Sequence, residues 1–294
     1  MVKLSVIILS YNTKSITEQC VKSLLDSFTF DTFADYEIII IDNNSRDGTV
    51  EMLQKLEKLQ SKIKIVLNKE NVGYPKGNNQ GMKLAHGENV LFLNSDVLIE
   101  HVSFKRLLTY FESRKDVGIL TVKVLLQNEY IDPASHRGFP TIWNSFCYFL
   151  KLEKIFGKVP VLNRLFGGYH IRYADLGTIH EIDSSSGAFL LSKKHILNQV
   201  KGFDEQFFMY GEDLDLSFRI KELGYKILYY PLYKVLHLKY SSGLKTSDNN
   251  TKNVTRNHFY NAMKIFYKKH YSHKNFNLVN KCIYRLIDLK KAIS

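Results

Sequence analysis

Cysteine is scarce in this chain of 294 residues. The three present, Cys20, Cys147 and Cys282, are scattered, odd in number and form no Cys-x-x-Cys pair. Neither a disulfide framework nor a cysteine zinc site is indicated, and a reducing compartment fits best. Long apolar runs are missing as well. No stretch reaches the roughly 20 residues of a membrane-spanning helix. The apolar start, Met1–Leu9, is too short for a signal peptide and has no cleavage site. A cytoplasmic location is the expectation. The sequence has no zinc-finger, helix-turn-helix or RNA-recognition signature, so nucleic acid is not an expected partner. It also lacks Gly-x-Gly-x-x-Gly, which counts against nicotinamide or flavin chemistry. Internal repeats and low-complexity tracts are not apparent.

What is present suits a globular protein with a sizeable core: 45% hydrophobic and 24% charged residues. The 41 basic residues outnumber the 29 acidic ones, a net charge of +12. Without a nucleic-acid motif, that surplus favours an anionic membrane face or phosphate-rich substrates.

The chain is organised around Gly87–Asp96, a short apolar run that stops at Asn94-Ser95-Asp96. Such a run reads as a strand buried on both faces. An acid at its C-terminal lip lies where open α/β sheets place their ligands. Taken alone, Asp96 reads as a helix cap; its neighbours shift the reading toward a divalent metal that holds a diphosphate. Leu4–Ser10 and Tyr36–Ile41 are two more buried strands, the second ending at Asp42, and Ile63–Leu67 is a third. Helical spacing marks Ile16–Phe28 and Thr49–Leu59. The alternation predicts parallel strands joined by right-handed crossovers, a Rossmann-like half over residues 1–100.

Asp42 and Asp96 each end a strand, so one can hold a nucleoside and the other a metal such as Mg²⁺ or Mn²⁺. Asn71–Gly81 reads as a phosphate or nucleotide loop, with glycines for close backbone approach and Lys76 for charge. Further on, Glu212, Asp213 and Asp215 sit beside Phe207, Phe208 and Tyr210. Carboxylates in such surroundings can have raised pKa values and act as general bases. Asp215 reads as a helix-dipole charge in a first turn. His237, a lone histidine in an apolar strand, reads on its own more readily as core than as a ligand. Thr141–Tyr173 mixes aromatic and basic residues and reads as an insertion packed on the core, with a membrane surface as the alternative. Asn253–Tyr271 and Asn277–Ile293 read as C-terminal helices.

Together these stretches resemble the inverting family 2 glycosyltransferases of GT-A fold, and within them the rhamnosyltransferase-like branch. The resemblance runs from about residue 4 to residue 242, in order. Ser5–Asn12 looks like the opening strand, Asn71–Gly81 like the branch's Asn-x-Gly-x-x-x-Gly-Asn-Asn signature, and Leu93–Asp96 like the metal-binding Asp-x-Asp segment. His237, followed by Ser241-Ser242, matches the late histidine that often completes the metal site. The resemblance implies an α/β GT-A domain over 1–245, with an acceptor half at 101–245 that carries the 141–173 insertion, and a helical segment at 246–294. It implies that Asp213, paired with Glu212, is the catalytic base. Ser10, Tyr11, Asn12, Asp42, Asn71, Gly73, Lys76, Asn78, Asn94 and Ser95 would bind the nucleotide-sugar, and Asp96 with His237 the Mg²⁺ or Mn²⁺. Two departures stand out: Asn94 replaces the first acid of Asp-x-Asp, and Tyr74-Pro75 replaces Phe-Ala.

The implied activity is transfer of a sugar, rhamnose from dTDP-rhamnose first, to a glycan or lipid-linked acceptor in bacterial surface polysaccharide synthesis. Galactose, glucose, N-acetylglucosamine and mannose are alternative donors. A peripheral place on the cytoplasmic membrane face would suit the basic stretches. Among rival classes, a nucleotidyltransferase wants a glycine- and base-rich loop after its first strand, where this chain has Ser10-Tyr11-Asn12-Thr13. A non-catalytic glycan binder would tolerate loss of the acidic block, which is intact.

Overall fold

The computed structural model describes residues 2–239 and 249–293, with side chains omitted for 249–251. Ser241-Ser242 and the expected 245/246 boundary lie outside the described residues. The first half follows the expected alternation: β1 (Leu4–Ser10), α1 (Lys14–Phe30), β2 (Tyr36–Asp42), α2 (Thr49–Leu59), β3 (Ile63–Leu67), α3 (Tyr74–Leu84) and β4 (Asn89–Asn94). Its strands pair in parallel in the order β3-β2-β1-β4. Successive isoleucines of β2 serve opposite faces, as a period of two demands. Ile38 and Ile40 pack with Cys20 and Leu24 of α1. Ile39 and Ile41 pack on the side of Met82 and Ala85.

The second half completes a nine-stranded sheet in the order β3-β2-β1-β4-β8-β6-β9-β5, with β7 against β9. It contributes β5 (Val97–Ile99), α4 (Phe104–Ser113), β6 (Val117–Leu126), β7 (His180–Ile182), β8 (Phe189–Lys193), α8 (Lys194–Gln199), α9 (Glu212–Glu222) and β9 (Lys226–His237). Here β8 runs antiparallel to both β4 and β6, while β6 and β9 are parallel. The apolar runs Lys226–Tyr230 and Val235–Leu238 read in the sequence as two strands, and one long strand, β9, is found. The register slips where Val122 faces Tyr230 but Lys123 faces Lys234. Pro231 lies in that slip and has no N–H to give the ladder.

The aromatic–basic stretch forms three short helices, α5 (Ile142–Phe149), α6 (Leu152–Phe156) and α7 (Leu162–Phe166). Expected to pack on the core, it buries Cys147 and Ile171 but leaves Ile142, Trp143, Phe146 and Leu150 between 45% and 54% exposed. The chain ends in α10 (Asn249–His270) and α11 (Asn277–Ala292). Ala262 and Phe266 of α10 form a small core with Phe207 and Leu214, so this helix rests on α9. No helix among the described residues is long and apolar enough to cross a membrane.

Candidate functional site

The C-terminal ends of β1 and β4, the start of α3, the start of α9 and the end of β9 converge on one cleft of about 1040 Å³. Ser10, Tyr11, Asn71, Gly73, Asn94, Ser95, Asp96, Glu212, Asp213 and His237 all line it. Four predicted residues stand outside the lining. Asn12 stitches two turns together: its N–H donates to Ser45 Oγ and its Oδ1 accepts from the Arg46 N–H, both at 2.8 Å. Lys76 is exposed on the outer side of α3. Asn78 is buried and gives its amide to the Tyr74 carbonyl one turn back, at 2.9 Å. Asp42 is fully buried at the end of β2, level with Ser10. Its Oδ2 accepts from the Ser45 N–H at 2.8 Å, and its Oδ1 has no hydrogen-bond partner.

β1 lies between β2 and β4, so about 10 Å, two interstrand spacings, separates the strand ends that carry Asp42 and lead to Asp96. That gap matches an extended nucleotide better than two ligands of one ion. The Asn71–Gly81 segment also differs from its expected use. Gly77 faces the sheet rather than a ligand: a Cβ there would lie 2.4 Å from Leu9 Cδ1. Gly73 has φ +84°, and a Cβ would meet the Phe208 carbonyl oxygen at 2.6 Å. Small residues here let α3 lie close to β1 and to the acidic loop. Asn79 fastens that loop further, giving its amide to the Phe203 carbonyl and accepting from the Phe203 N–H, both at 2.9 Å.

Tyr74 gives the first departure a role. Its hydroxyl donates to Asn94 Oδ1 at 3.1 Å and to the Gly187 carbonyl at 3.3 Å. Burial and the nearby charges of Glu212, Asp213 and Asp96 raise its pKa well above the ordinary phenol value, so it stays a donor. Asn94 is thereby held by a neutral partner where an acid would meet Asp96.

The metal-side pair is assembled by β9. Its antiparallel pairing with β5 sets His237 opposite Val97, next to Asp96. His237 Nε2 lies 3.1 Å from Asp96 Oδ1, and its Nδ1 lies 2.7 Å from Asp132 Oδ2. Lys239 Nζ holds the other Asp132 oxygen at 2.7 Å. Burial alone would lower the imidazole pKa; its hydrogen bonds to the Asp132 and Asp96 carboxylates outweigh burial and raise it to about 9. Asp132, held by His237 and Lys239 despite its burial, falls well below the usual carboxylate range. No cluster of three or more His, Cys, Asp or Glu suited to a metal occurs among the described residues. One carboxylate oxygen and one imidazole nitrogen, the latter fixed from behind, still fit a divalent ion that completes its shell with substrate phosphates.

Across the cleft, α9 opens with Glu212 and Asp213 behind Gly211, which takes the left-handed conformation at φ 77°. Arg137 Nη2 donates to Asp213 Oδ2 at 2.7 Å and also reaches the Ser185 carbonyl at 3.2 Å. The Leu214 N–H donates to the other oxygen, Oδ1, at 2.7 Å, so both Asp213 oxygens are held in place. Glu212 is also buried, and its Oε2 has no hydrogen-bond partner. Burial and the charge of Asp213 raise its pKa to about 8. Asp215 does sit in the first turn of α9, as expected of a helix-dipole charge, and it does more than that. It is fully buried and ion-paired to Arg219 at 2.7 Å, Lys269 at 2.7 Å and His270 at 2.8 Å. The cause is α10, which folds back over α9 and supplies Lys269 and His270.

Asp132, Arg137 and Lys239 are site residues that the sequence reading passed over. Asp132-Pro133 looks like an ordinary turn start, and its side chain does cap Ala134 N–H at 3.0 Å. No local pattern reveals that the same carboxylate backs a histidine 105 residues away.

Comparison with known proteins places this architecture. A sequence model described as "Glycosyl transferase family 2" matches residues 5–175. The GalNAc(5)-diNAcBac-PP-undecaprenol beta-1,3-glucosyltransferase of Campylobacter jejuni is 40% identical over 97 residues, 33% of this chain and 30% of that protein. Rhamnosyltransferase WbbL of Escherichia coli is 25% identical over 228 residues, 75% of this chain and 79% of that protein. The match to the first of these, and to the teichuronic acid glycosyltransferase TuaG of Bacillus subtilis at 35%, spans about a third of the relative's length. Among solved structures, S. aureus TarS 1-349 in complex with UDP-GlcNAc superposes with a TM-score of 0.56 at 22% identity, covering 90% of this chain and 65% of that one. The mannosyltransferase PcManGT from Pyrobaculum calidifontis, in complex with GDP-Man and Mn²⁺, gives 0.56 at 15% identity, covering 94% and 65%. These structural likenesses show a shared GT-A-type fold. The family match takes in more than half of the 294 residues, and the chain belongs to glycosyl transferase family 2.

Proposed function

We propose that the protein is an inverting glycosyltransferase that moves a sugar from a nucleotide-sugar donor to a hydroxyl of a glycan or lipid-linked acceptor in bacterial surface polysaccharide synthesis. The observation that carries this reading is the opposition, in one cleft, of the Arg137-held Asp213 and the Asp96–His237 pair. Residues 1–100 are the donor half and 101–245 the acceptor half. Asp42, with its unpartnered buried oxygen, suits a donor N–H or hydroxyl of the nucleoside. Ser10, Tyr11, Asn71, Gly73, Asn94 and Ser95 line the path of the diphosphate and sugar.

Asp213 takes the proton of the acceptor hydroxyl. The freed oxygen attacks the anomeric carbon, the bond to the diphosphate oxygen breaks, and the nucleoside diphosphate leaves. One displacement inverts the configuration, and no second carboxylate nucleophile is required. Asp96 and His237 would hold Mg²⁺ or Mn²⁺, which offsets charge on the leaving diphosphate. dTDP-rhamnose is the first donor to try, with galactose, glucose, N-acetylglucosamine and mannose nucleotides beside it. The relatives named above include glucosyl- and rhamnosyltransferases, so their names favour no single sugar.

The test is release of nucleoside diphosphate from that donor panel, with Mg²⁺, Mn²⁺ or EDTA. Turnover of one donor, abolished by EDTA, is expected. Asp213→Asn should reduce kcat by about 10²–10⁴-fold, the usual worth of a positioned base. A loss below about tenfold would take that role away from Asp213.

A further inference from the structure

The cleft does not end at the catalytic acids. Beyond Asp213 it continues as an arm between α5 on one side and α10 and α11 on the other. Phe259, Met263 and Phe266 of α10 line it. The side chains that α11 gives to the lining include the aliphatic Ile283, Leu286, Leu289 and Ile293. Phe146 and Leu150 of the α5 segment face them and are 49% and 54% exposed, while Leu286 and Leu289 are 63% and 62% exposed. The two sides meet where Lys290 Nζ sits 5.7 Å from the centre of the Phe149 ring.

We propose that this arm binds the hydrocarbon chain of a lipid-linked acceptor, with the phosphate end of that lipid directed toward the cleft. The proposal rests on the transferase reading and adds a subsite to it. Three observations support this occupant. The arm is continuous with the space in front of Asp213, so a molecule lying in it has its head group beside the base. The aliphatic side chains of α11 offer hydroxyl-rich sugar rings no hydrogen bonds, whereas a hydrocarbon chain loses nothing by touching them. Cations border the apolar walls: Lys290 of α11 lines the arm, and Lys151 follows Leu150. The acid of that helix, Asp288, is paired with Lys264 at 2.5 Å. Apolar walls with a cationic border match a hydrocarbon joined to phosphate. At about 1040 Å³ the whole cleft is at the upper end of the range for ligand pockets.

Farnesyl phosphate, kept below its micelle-forming range, is the probe. It is titrated onto the full chain while the emission of the single tryptophan is followed. That residue, Trp143, stacks 5.7 Å from Phe146. A saturable change is expected, with none from inorganic phosphate at equal concentration. Phe146→Asp and Leu286→Asp should each raise Kd about tenfold, and both side chains are exposed enough for the variants to keep the wild-type Tm. Absence of saturation overturns the proposal, as does equal binding by wild type and variants. Sedimentation with phosphatidylglycerol vesicles without any binding of farnesyl phosphate would make the arm a membrane-docking face instead. Loss of self-association in the variants, again without farnesyl phosphate binding, would make it a contact between two copies. Farnesyl phosphate binding that the variants weaken, in a protein that binds no sugar nucleotide, would keep the subsite and remove the transferase reading.

Discussion

An imidazole that offers one nitrogen to a cation works best when its other nitrogen is fixed, and Asp132 provides that hold on His237. Asp132→Asn is therefore expected to weaken Mn²⁺ binding by about 10–100-fold, measured by titration in the presence of nucleoside diphosphate. Unchanged affinity would take His237 out of the ligand set. Glu212 gives a second prediction, one of stability. Its carboxyl has a pKa near 8 when folded against 4.5 as the ordinary value. A raised acid pKa means that the folded state binds the extra proton between those two values. Its contribution is complete below 4.5 and is lost as pH rises through about 8. The wild-type Tm should fall across that window more steeply than that of Glu212→Gln. The carboxylates themselves were legible in the sequence, because acids at strand ends and among aromatics are out of place. Their partners were not. Asp132, Arg137 and Lys239 lie in turns or at a strand end, and only tertiary folding brings them to His237 and Asp213.

At the level of elements, helix α9 is held at both ends by parts of the chain that follow or precede it at a distance. Asp215 joins it to α10 through Lys269 and His270, and Arg219 reaches the carbonyls of Val200 and Gly202 at 2.5 and 2.9 Å. His270 also packs against Phe218, ring centres 4.1 Å apart. Asp215→Ala removes a fully buried carboxylate shared by Arg219, Lys269 and His270, leaves Lys269 with Asp204 alone, and is expected to cost about 1–3 kcal/mol, measured by urea unfolding. Asp215 itself is buried and ordinarily would be raised, yet His270, Arg219 and Lys269 hold its pKa below 3.8. Its share of stability is accordingly present above that ordinary value and disappears as pH drops through the lower folded one. Gly73→Ala meets both a left-handed backbone and the Phe208 carbonyl, so the start of α3 should shift and weaken nucleotide binding. Strands and helices of the first half were readable because their apolar periods are local. The single β9 and the buried place of Asp215 were not, since one depends on pairing with β6 and the other on a helix that closes over it.

For the whole molecule, the cleft is built from both ends of the chain: Ser10 stands on one wall and Ile293 on another. The sequence reading set residues 246–294 apart as a helical appendage, and side chains of α10 and α11 line the cleft. The order β3-β2-β1-β4 puts one strand between the buried oxygen of Asp42 and the Asp96–His237 pair. In the proposed donor pose the sheet itself then acts as a gauge of length. A sugar carried on a single phosphate is one linkage too short to occupy both ends, and a free sugar phosphate has nothing to place at Asp42. Discrimination of that kind depends on the strand spacing that holds Asp42 and the Asp96–His237 pair apart, and surface mutations would leave it intact.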